Sequence, residues 1–245
     1  MTNNIKLYIE ADYDAMSRKA ASVFAEAVTA KPTAAYGFAT GSTPVGMYNV
    51  LVEMQNDGKV DLSRLTAFNL DEYHPIAGDN PQSYRFFMDQ QLFARVGLPK
   101  ANRYIPCGEA ADPLAECAAY EQQIADAGGI EMQILGIGAN GHIGFNEPGD
   151  VFSGQTGYVP LAQATIDSNV RFFDKPEDMP RHALTMGVQD IMMAKRIILL
   201  ASSAGKAAIL AAALTGPITP QVPASVLQLH QNVIVIADQA AASKL

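Results

Sequence analysis

The feature that most restricts what this chain can fold into is an alternation repeated along its length: short, β-rich apolar runs separated by helix-length segments. Ile5, Leu7 and Ile9 alternate with polar residues, and AAYGFA (34–39), LTAFNL (65–70), MQILGI (132–137), RIILLA (196–201) and NVIVIA (232–237) follow as continuous runs. Between them the pattern predicts helices over 13–30, with Met16, Ala20, Phe24 and Val28 at helical spacing, and over 44–56, 81–94, 112–126 and 205–214. Strands that alternate with helices make βα units and a mainly parallel sheet. The expected fold is therefore α/β: a single domain over 1–245 with an open, mainly parallel sheet flanked by helices, doubly wound and Rossmann-like. The alternating first strand belongs at an edge or half in solvent. Hydrophobic residues make up 49% of the 245, enough for a sizeable core. No repeat or low-complexity linker interrupts the pattern. The longest irregular stretch is 148–180, and long loops in compact domains are usually binding segments or lids, which makes 149–180 a candidate cover for a site.

The charge balance removes several partner classes. A net charge of −8 with scattered Lys and Arg opposes nucleic acid and membrane surfaces, which need clustered positive charge. Any anion must be met by a few placed groups. Cys107 and Cys117 support neither a disulfide framework nor a zinc site. The start, MTNNIKLYIEADYD, lacks the design of a signal peptide, and no apolar run approaches the ~18 residues of a membrane span. A cytoplasmic protein is expected. The terminal Ser243, Lys244 and Leu245 match a peroxisomal address, a three-residue coincidence with no other support in the chain.

The polar signals fall after strands. Thr40-Gly41-Ser42-Thr43-Pro44 follows AAYGFA, Asp71-Glu72-Tyr73 follows LTAFNL, GANGHIGFNEPG (138–149) follows MQILGI, and Ser202-Ser203-Ala204-Gly205-Lys206 follows RIILLA. In a parallel α/β sheet the carboxyl ends of the strands form the crevice where ligands bind. TGSTP brings hydroxyls and backbone N–H groups to a helix N-terminus, which suits a phosphate or an ordinary cap. SSAGK adds Lys206 in a first helical turn, where its charge opposes the helix dipole unless an anion neutralises both. TGSTP is not a P-loop, since the second glycine and the GK[ST] ending are missing, and no GxGxxG follows an early strand, so no nucleotide cofactor is inferred.

Asp71 at a strand end reads either as a general base or as a loop cap. The stretch 138–149 packs a histidine, two asparagines, a glutamate and four glycines into twelve positions. Its glycines let backbone approach a ligand, and His142 and Glu147, five apart in a non-helical loop, can face each other as a proton-transfer pair. The plainer reading is a histidine that satisfies loop carbonyls. No metal is expected, because His74, His182 and His230 lie in separate segments.

With these residues in view, the chain resembles the glucosamine-6-phosphate deaminases, also called isomerases. The matching motifs are TGSTP, FNLDEY (68–73), LGIGANGHIGFNEPG (135–149), SNVRFFD (168–174), ALTMGV (183–188), the GK of SSAGK and LQLH (227–230), in family order over nearly the whole chain. The resemblance implies conversion of glucosamine 6-phosphate and water to fructose 6-phosphate and ammonia without a cofactor. It implies that His142, oriented by Glu147, moves a proton from the C1 hydroxyl to the ring oxygen and opens the sugar. Asp71 then takes the C2 proton and returns it to C1, leaving a C2 iminium that water attacks. Gly41, Ser42, Thr43, Arg171 and Lys206 would hold the phosphate.

Two departures matter. Some members carry aspartate where this chain has Asn140; an amide orients His142 without stabilising its cation by charge. Members activated by N-acetylglucosamine 6-phosphate are hexamers with basic residues after the NEP segment, whereas positions 149–170 here hold no Lys or Arg. A monomer with hyperbolic kinetics is expected, the more so as the chain stops eight residues beyond its last predicted strand. Similar folds serve 6-phosphogluconolactonases, which need no C2 base. They also serve sugar-phosphate sensors fused to a helix-turn-helix, for which a chain starting on a strand leaves no room.

Overall fold

The computed structural model describes residues 5–173 and 175–245; the first four residues, Asp174 and the side chains of Ala164 and Ser168 lie outside the described residues, Ser168 and Asp174 being within the SNVRFFD motif. Among those described, the strands are β1 (Ile5–Glu10), β2 (Ala35–Phe38), β3 (Thr66–Asn69), β4 (Asp71–His74), β5 (Arg103–Tyr104), β6 (Ile130–Gly136), β7 (Gly157–Pro160), β8 (His182–Thr185), β9 (Ile197–Ala201) and β10 (Val233–Asp238). The helices are α1 (Tyr13–Ala30), α2 (Val45–Asn56), α3 (Tyr84–Met88), α4 (Pro113–Asp126), α5 (Gln163–Asn169), α6 (Val188–Met192) and α7 (Ala207–Thr215).

Seven strands form one parallel sheet in the order β1-β10-β9-β6-β2-β3-β5. After its first strand the chain enters the middle at β2, winds outward to β5, returns beside β2 at β6 and winds the other way to β10. The β2/β6 boundary is the point where strand order reverses, and ligands in open α/β sheets bind beyond the strand ends at such a point. Central strands are buried along their length, as parallel strands covered on both faces must be. Strand β1 lies at the sheet edge as expected, but its apolar alternation does not face inward: Leu7 and Ile9 are exposed while Tyr8 is half-buried.

A second sheet, antiparallel in the order β4-β8-β7, departs from the expected single sheet. LTAFNL does not end at Asp71: the chain leaves the parallel sheet at Leu70, and Asp71 opens β4, paired with Thr185. Leu70 ties the two sheets, donating its N–H to Phe38 O at 3.0 Å and accepting from Met186 N–H at 2.8 Å. The stretch 148–180 is not irregular either, since it holds β7 and α5. Around this sheet Tyr73, Ile76, Phe145, Leu161, Ile166, Met179 and Ala183 form a small second core. Two-stranded edges become stable when a third strand and an apolar face join them.

Helix limits differ where capping decides them. The segment expected from 81 starts at Tyr84, because the Ser83 hydroxyl accepts from Phe86 N–H at 3.0 Å, and it ends in a π-helical turn over Asp89–Phe93. α7 starts at Ala207, after a 3-10 turn over Ala204–Lys206.

Candidate active site

All four polar loops meet in one cleft of about 490 Å³, above the β2/β6 reversal. Its floor and walls include Thr40 to Thr43 after β2, Asp71, Gly136 to Ala139 with Asn140 and His142 after β6, and Lys206 before α7. Tyr84, Gly144, Phe145, Thr165 and Asn169 complete the lining.

The TGSTP loop does not cap its helix with a hydroxyl. Pro44 holds the cap position, with no side-chain cap bond. Tyr13 braces the loop instead, donating its hydroxyl to Ser42 O at 2.9 Å and accepting from Gly46 N–H at 2.8 Å. Gly41 turns the chain at φ +91, a conformation in which glycine alone is unstrained. Among the described residues no acceptor takes the backbone N–H of Gly41, Ser42 or Thr43. Free donors at the start of α2, with the positive end of its dipole, make an anion seat. Lys206 faces the same cleft half-buried; burial pushes its pKa down, with no carboxylate to offset it.

Asp71 is 5% exposed and Glu72 1%. Burial, then the Glu72 carboxylate beside it, pushes the Asp71 carboxyl up to about 8. No hydrogen bond to the Asp71 side chain is found among the described residues, so nothing counters its burial. Glu72 is pushed by burial up to about 7, although it accepts from Tyr84 N–H at 2.8 Å and from Arg85 and Tyr73 N–H at 2.9 Å. Glu72 thus fixes the start of α3, which carries Tyr84 to the cleft. Gly144, at φ +58, brings backbone so close that a Cβ there would stand 3.5 Å from Asp71 Oδ2.

On the other wall His142 Nδ1 lies 3.3 Å from Glu147 Oε2, a loose pairing whose angle falls short of a hydrogen bond. The imidazole satisfies no loop carbonyl; it packs over Gly138, where a Cβ would come within 2.3 Å of the ring. Asn140 works on the carboxylate more than on the ring: its Nδ2 donates to Glu147 Oε2 at 2.7 Å, while its Oδ1 accepts from the His142 backbone N–H at 3.2 Å. Thr165 donates its hydroxyl to Glu147 Oε1 at 2.9 Å. Burial raises the Glu147 pKa, but the His142 contact and charge, then the bonds from Asn140 and Thr165, outweigh it and bring it down to about 2.

Seven of the nine residues singled out in the sequence line the cleft, and Glu147 stands behind His142 and Asn140 as their partner. Arg171 does neither: it is exposed, outside the lining, with its guanidinium 4.8 Å from the Phe172 ring centroid. Among the described residues no cluster of three or more His, Cys, Asp or Glu groups stands in metal-ligand geometry; His74 and His182 are cross-strand partners about Tyr158, away from the cleft. Tyr84 and Thr165 are contributors the sequence reading missed, because both arrive through tertiary packing of segments with no strand-end signature.

Comparisons with known proteins give the family and the fold. The family described as glucosamine-6-phosphate isomerases/6-phosphogluconolactonase matches residues 10–236. A glucosamine-6-phosphate deaminase of Clostridioides difficile (strain 630) is 50% identical over 234 residues, covering 96% of this chain and 94% of that protein. One from Clostridium perfringens (strain SM101) is 47% identical over 241 residues, covering 98% and 100%. Among solved structures, a monomeric glucosamine-6-phosphate deaminase described as a missing link of the NagB superfamily superposes with a TM-score of 0.94 at 40% identity, over 98% of this chain and 100% of its own. A 6-phosphogluconolactonase from Trypanosoma brucei, at 18% identity and a TM-score of 0.78, shares the fold.

Proposed function

This chain belongs to the glucosamine-6-phosphate isomerase/6-phosphogluconolactonase family, and from that premise we propose that it converts glucosamine 6-phosphate and water to fructose 6-phosphate and ammonia. The carrying observation is one cleft served by two carboxyl groups of opposite character: Asp71 in its lining, buried and pushed up to about 8, and Glu147 behind the lining His142, pulled down to about 2. Environments that separate two carboxyl pKa values assign acid and base roles.

The phosphate is seated on the N–H groups of Gly41, Ser42 and Thr43 and on Lys206. Anchoring that remote group places C2 over Asp71. His142, as cation stabilised by Glu147, shuttles the C1 hydroxyl proton to the ring oxygen, which opens the sugar to the aldehyde. Asp71 as carboxylate removes the C2 proton while O1 takes a proton from the substrate's own ammonium group, which gives an enolamine, and Asp71 then returns its proton to C1. The product is a C2 iminium; water adds to that carbon, and C–N cleavage releases ammonia and leaves the ketose. No electrons are lost or gained, so the sequence of steps needs no redox cofactor. Asn140 supplies a donor to Glu147 where an aspartate would repel it, which concentrates the negative charge of the relay on one residue. Lactone hydrolysis needs no C2 base, so the buried Asp71 carboxyl favours the deaminase reading within this family.

Arg171 follows two residues after Asn169, which lines the cleft, and we place it at the rim, reaching the phosphate when its guanidinium leaves the Phe172 ring. Residues 149–180 cover the cleft through Thr165 and Asn169. The same segment carries no Lys or Arg as far as 170, which supports hyperbolic kinetics, no activation by N-acetylglucosamine 6-phosphate, and a monomer. A phosphorylated substrate and two unpaired cysteines suit the cytoplasm, and no helix among the described residues is long and apolar enough to cross a membrane. Ammonia release from glucosamine 6-phosphate, run beside hydrolysis of 6-phosphogluconolactone, tests the assignment; lactone turnover without ammonia release would overturn it.

A further inference from the structure

Ser203 is the one described non-glycine residue at positive φ, with φ 84 and ψ 152. That region of backbone space is essentially reserved for glycine, and a residue stays there only when its surroundings over-determine it. The surroundings are supplied by Asp238, the last residue of β10. Its carboxylate accepts the Ser202 hydroxyl and the Ser203 N–H, the latter at 3.2 Å to Oδ1 and 3.0 Å to Oδ2. It also accepts from Ala241 N–H at 2.7 Å. Asp238 is 5% exposed, and among the described residues no Lys, Arg or His pairs with it: its charge is met by N–H and O–H donors alone. Those bonds, against the cost of burial, hold its pKa below the usual carboxylate range. The register explains the meeting, since Ala237 is the partner of Ala201, so Asp238, still paired with Glu10 of β1, comes beside Ser202 just past the end of β9.

The consequence passes one residue further. The Ser203 carbonyl accepts from the Lys206 N–H at 3.0 Å and so starts the turn that leads into α7. Rotation at Ser203 therefore moves Lys206. We propose that Asp238 is a positioning residue for the phosphate seat: by clamping Ser202 and Ser203 it holds a serine in a glycine conformation and thereby aims Lys206 into the cleft. This rests on the proposed reading of the cleft as a sugar-phosphate site.

The test uses the full chain and two probes, glucosamine 6-phosphate turnover and inorganic phosphate binding by titration calorimetry. Asp238→Ala is expected to raise KM and the phosphate Kd together by about tenfold while kcat falls by less than about threefold, since the proton-transfer residues are untouched. The deciding arm is a double-mutant cycle with Ser203→Gly. Glycine adopts the turn unaided, so in that background the same Asp238 substitution is expected to cost less than about threefold in both constants. A penalty as large in the Ser203→Gly background as in wild type overturns the proposal and leaves Asp238 a brace for the Ala241 turn only. A kcat loss with unchanged phosphate affinity overturns it as well. If Asp238→Ala fails to fold, Asp238→Asn, which keeps one acceptor, is carried through the same cycle with the same criterion. Wild type that binds phosphate but releases no ammonia sinks the functional reading and leaves this inference to stand or fall on the Kd values.

Discussion

The two carboxyl groups of the cleft come from opposite kinds of local structure. Asp71 opens a strand in the seam between two sheets, where burial removes water and, among the described residues, no donor replaces it. Glu147 sits in a glycine-rich loop that supplies a donor from Asn140 and a histidine ring at 3.3 Å, and α5 adds a second donor from Thr165. Burial raises both; only one is repaid with hydrogen bonds, so one ends near 8 and the other near 2. The difference teaches that residue type does not assign the role. A base for carbon needs a high proton affinity, which isolation provides, and a partner for imidazolium needs a permanent charge, which a donor network provides.

The comparison breaks most completely at Asp71. Asp71→Asn is expected to lower kcat by about a thousandfold and abolish solvent deuterium exchange at C2. Its stability should move the other way. A folded pKa above the unfolded one means that the native state holds a proton which the unfolded chain has lost, so Asp71 reduces stability increasingly as pH rises from the ordinary carboxylate range to about 8. Asp71→Asn should therefore melt a few degrees higher than wild type at pH 8, and Glu147→Gln, which removes a depressed carboxylate, a few degrees lower. Two melting temperatures shifted in the same direction would dissolve the contrast.

On the Glu147 side, His142→Gln is expected to cost about a hundredfold in turnover of the closed sugar while an open-chain analogue binds both proteins alike. A parallel loss of analogue affinity would make His142 a binding group. Gly138→Ala tests the same wall through sterics: the added methyl must displace a ring 2.3 Å away, and a misplaced base is expected to cost about tenfold or more. Unchanged activity would mean that the ring position is not what matters.

What the sequence disclosed follows the same division. Asp71, His142, Glu147, Lys206 and TGSTP are reactive or anion-seeking residue types placed directly after apolar runs, and parallel-sheet topology alone brings such positions together. The β4-β8-β7 sheet was hidden because its strands are four residues each and two carry the polar DEYH and the mixed HALT, with no alternation to read. Its absence from the sequence reading made Asp71 look like the end of a strand when it is the start of one, and that shift is what buries it. Tyr84 and Thr165 reach the cleft through helix α3 and the 149–180 segment, whose placement depends on the small core about Tyr73 and Phe145. Asp238 was legible in principle, as a carboxyl group after an apolar run, the same signature that drew attention to Asp71.

The pH profile sharpens the contrast further. Asp71 acts ionised, so kcat/KM of the free enzyme should rise with pH along a limb near 8 and fall away below it. Glu72 is the second cause of that elevation, and Glu72→Gln should move the limb to lower pH, a gain of about threefold at neutral pH if α3 keeps its start. A limb in the ordinary carboxylate range in wild type would show that Asp71 is less isolated than its burial implies.

The smallest expected effect probes how much of the Glu147 environment is supplied by the covering segment. Thr165→Val keeps the shape of the side chain and removes the hydroxyl that donates to Glu147 Oε1 at 2.9 Å. His142 and Asn140 remain on the other oxygen, so turnover should fall only about twofold to threefold. The acid side of the stability curve is the more telling measurement. A folded pKa below the unfolded one contributes stability that is fully present above the ordinary glutamate range and disappears as pH falls from there to about 2. With one donor gone the folded pKa rises toward its ordinary value, so the variant should be less stable than wild type at neutral pH, the difference should shrink as pH falls toward about 2, and unfolding on acidification should begin at higher pH than in wild type. An acid-unfolding curve identical to that of wild type would place the whole depression on His142 and Asn140 and leave the 149–180 segment a cover without a share in the charge of the site.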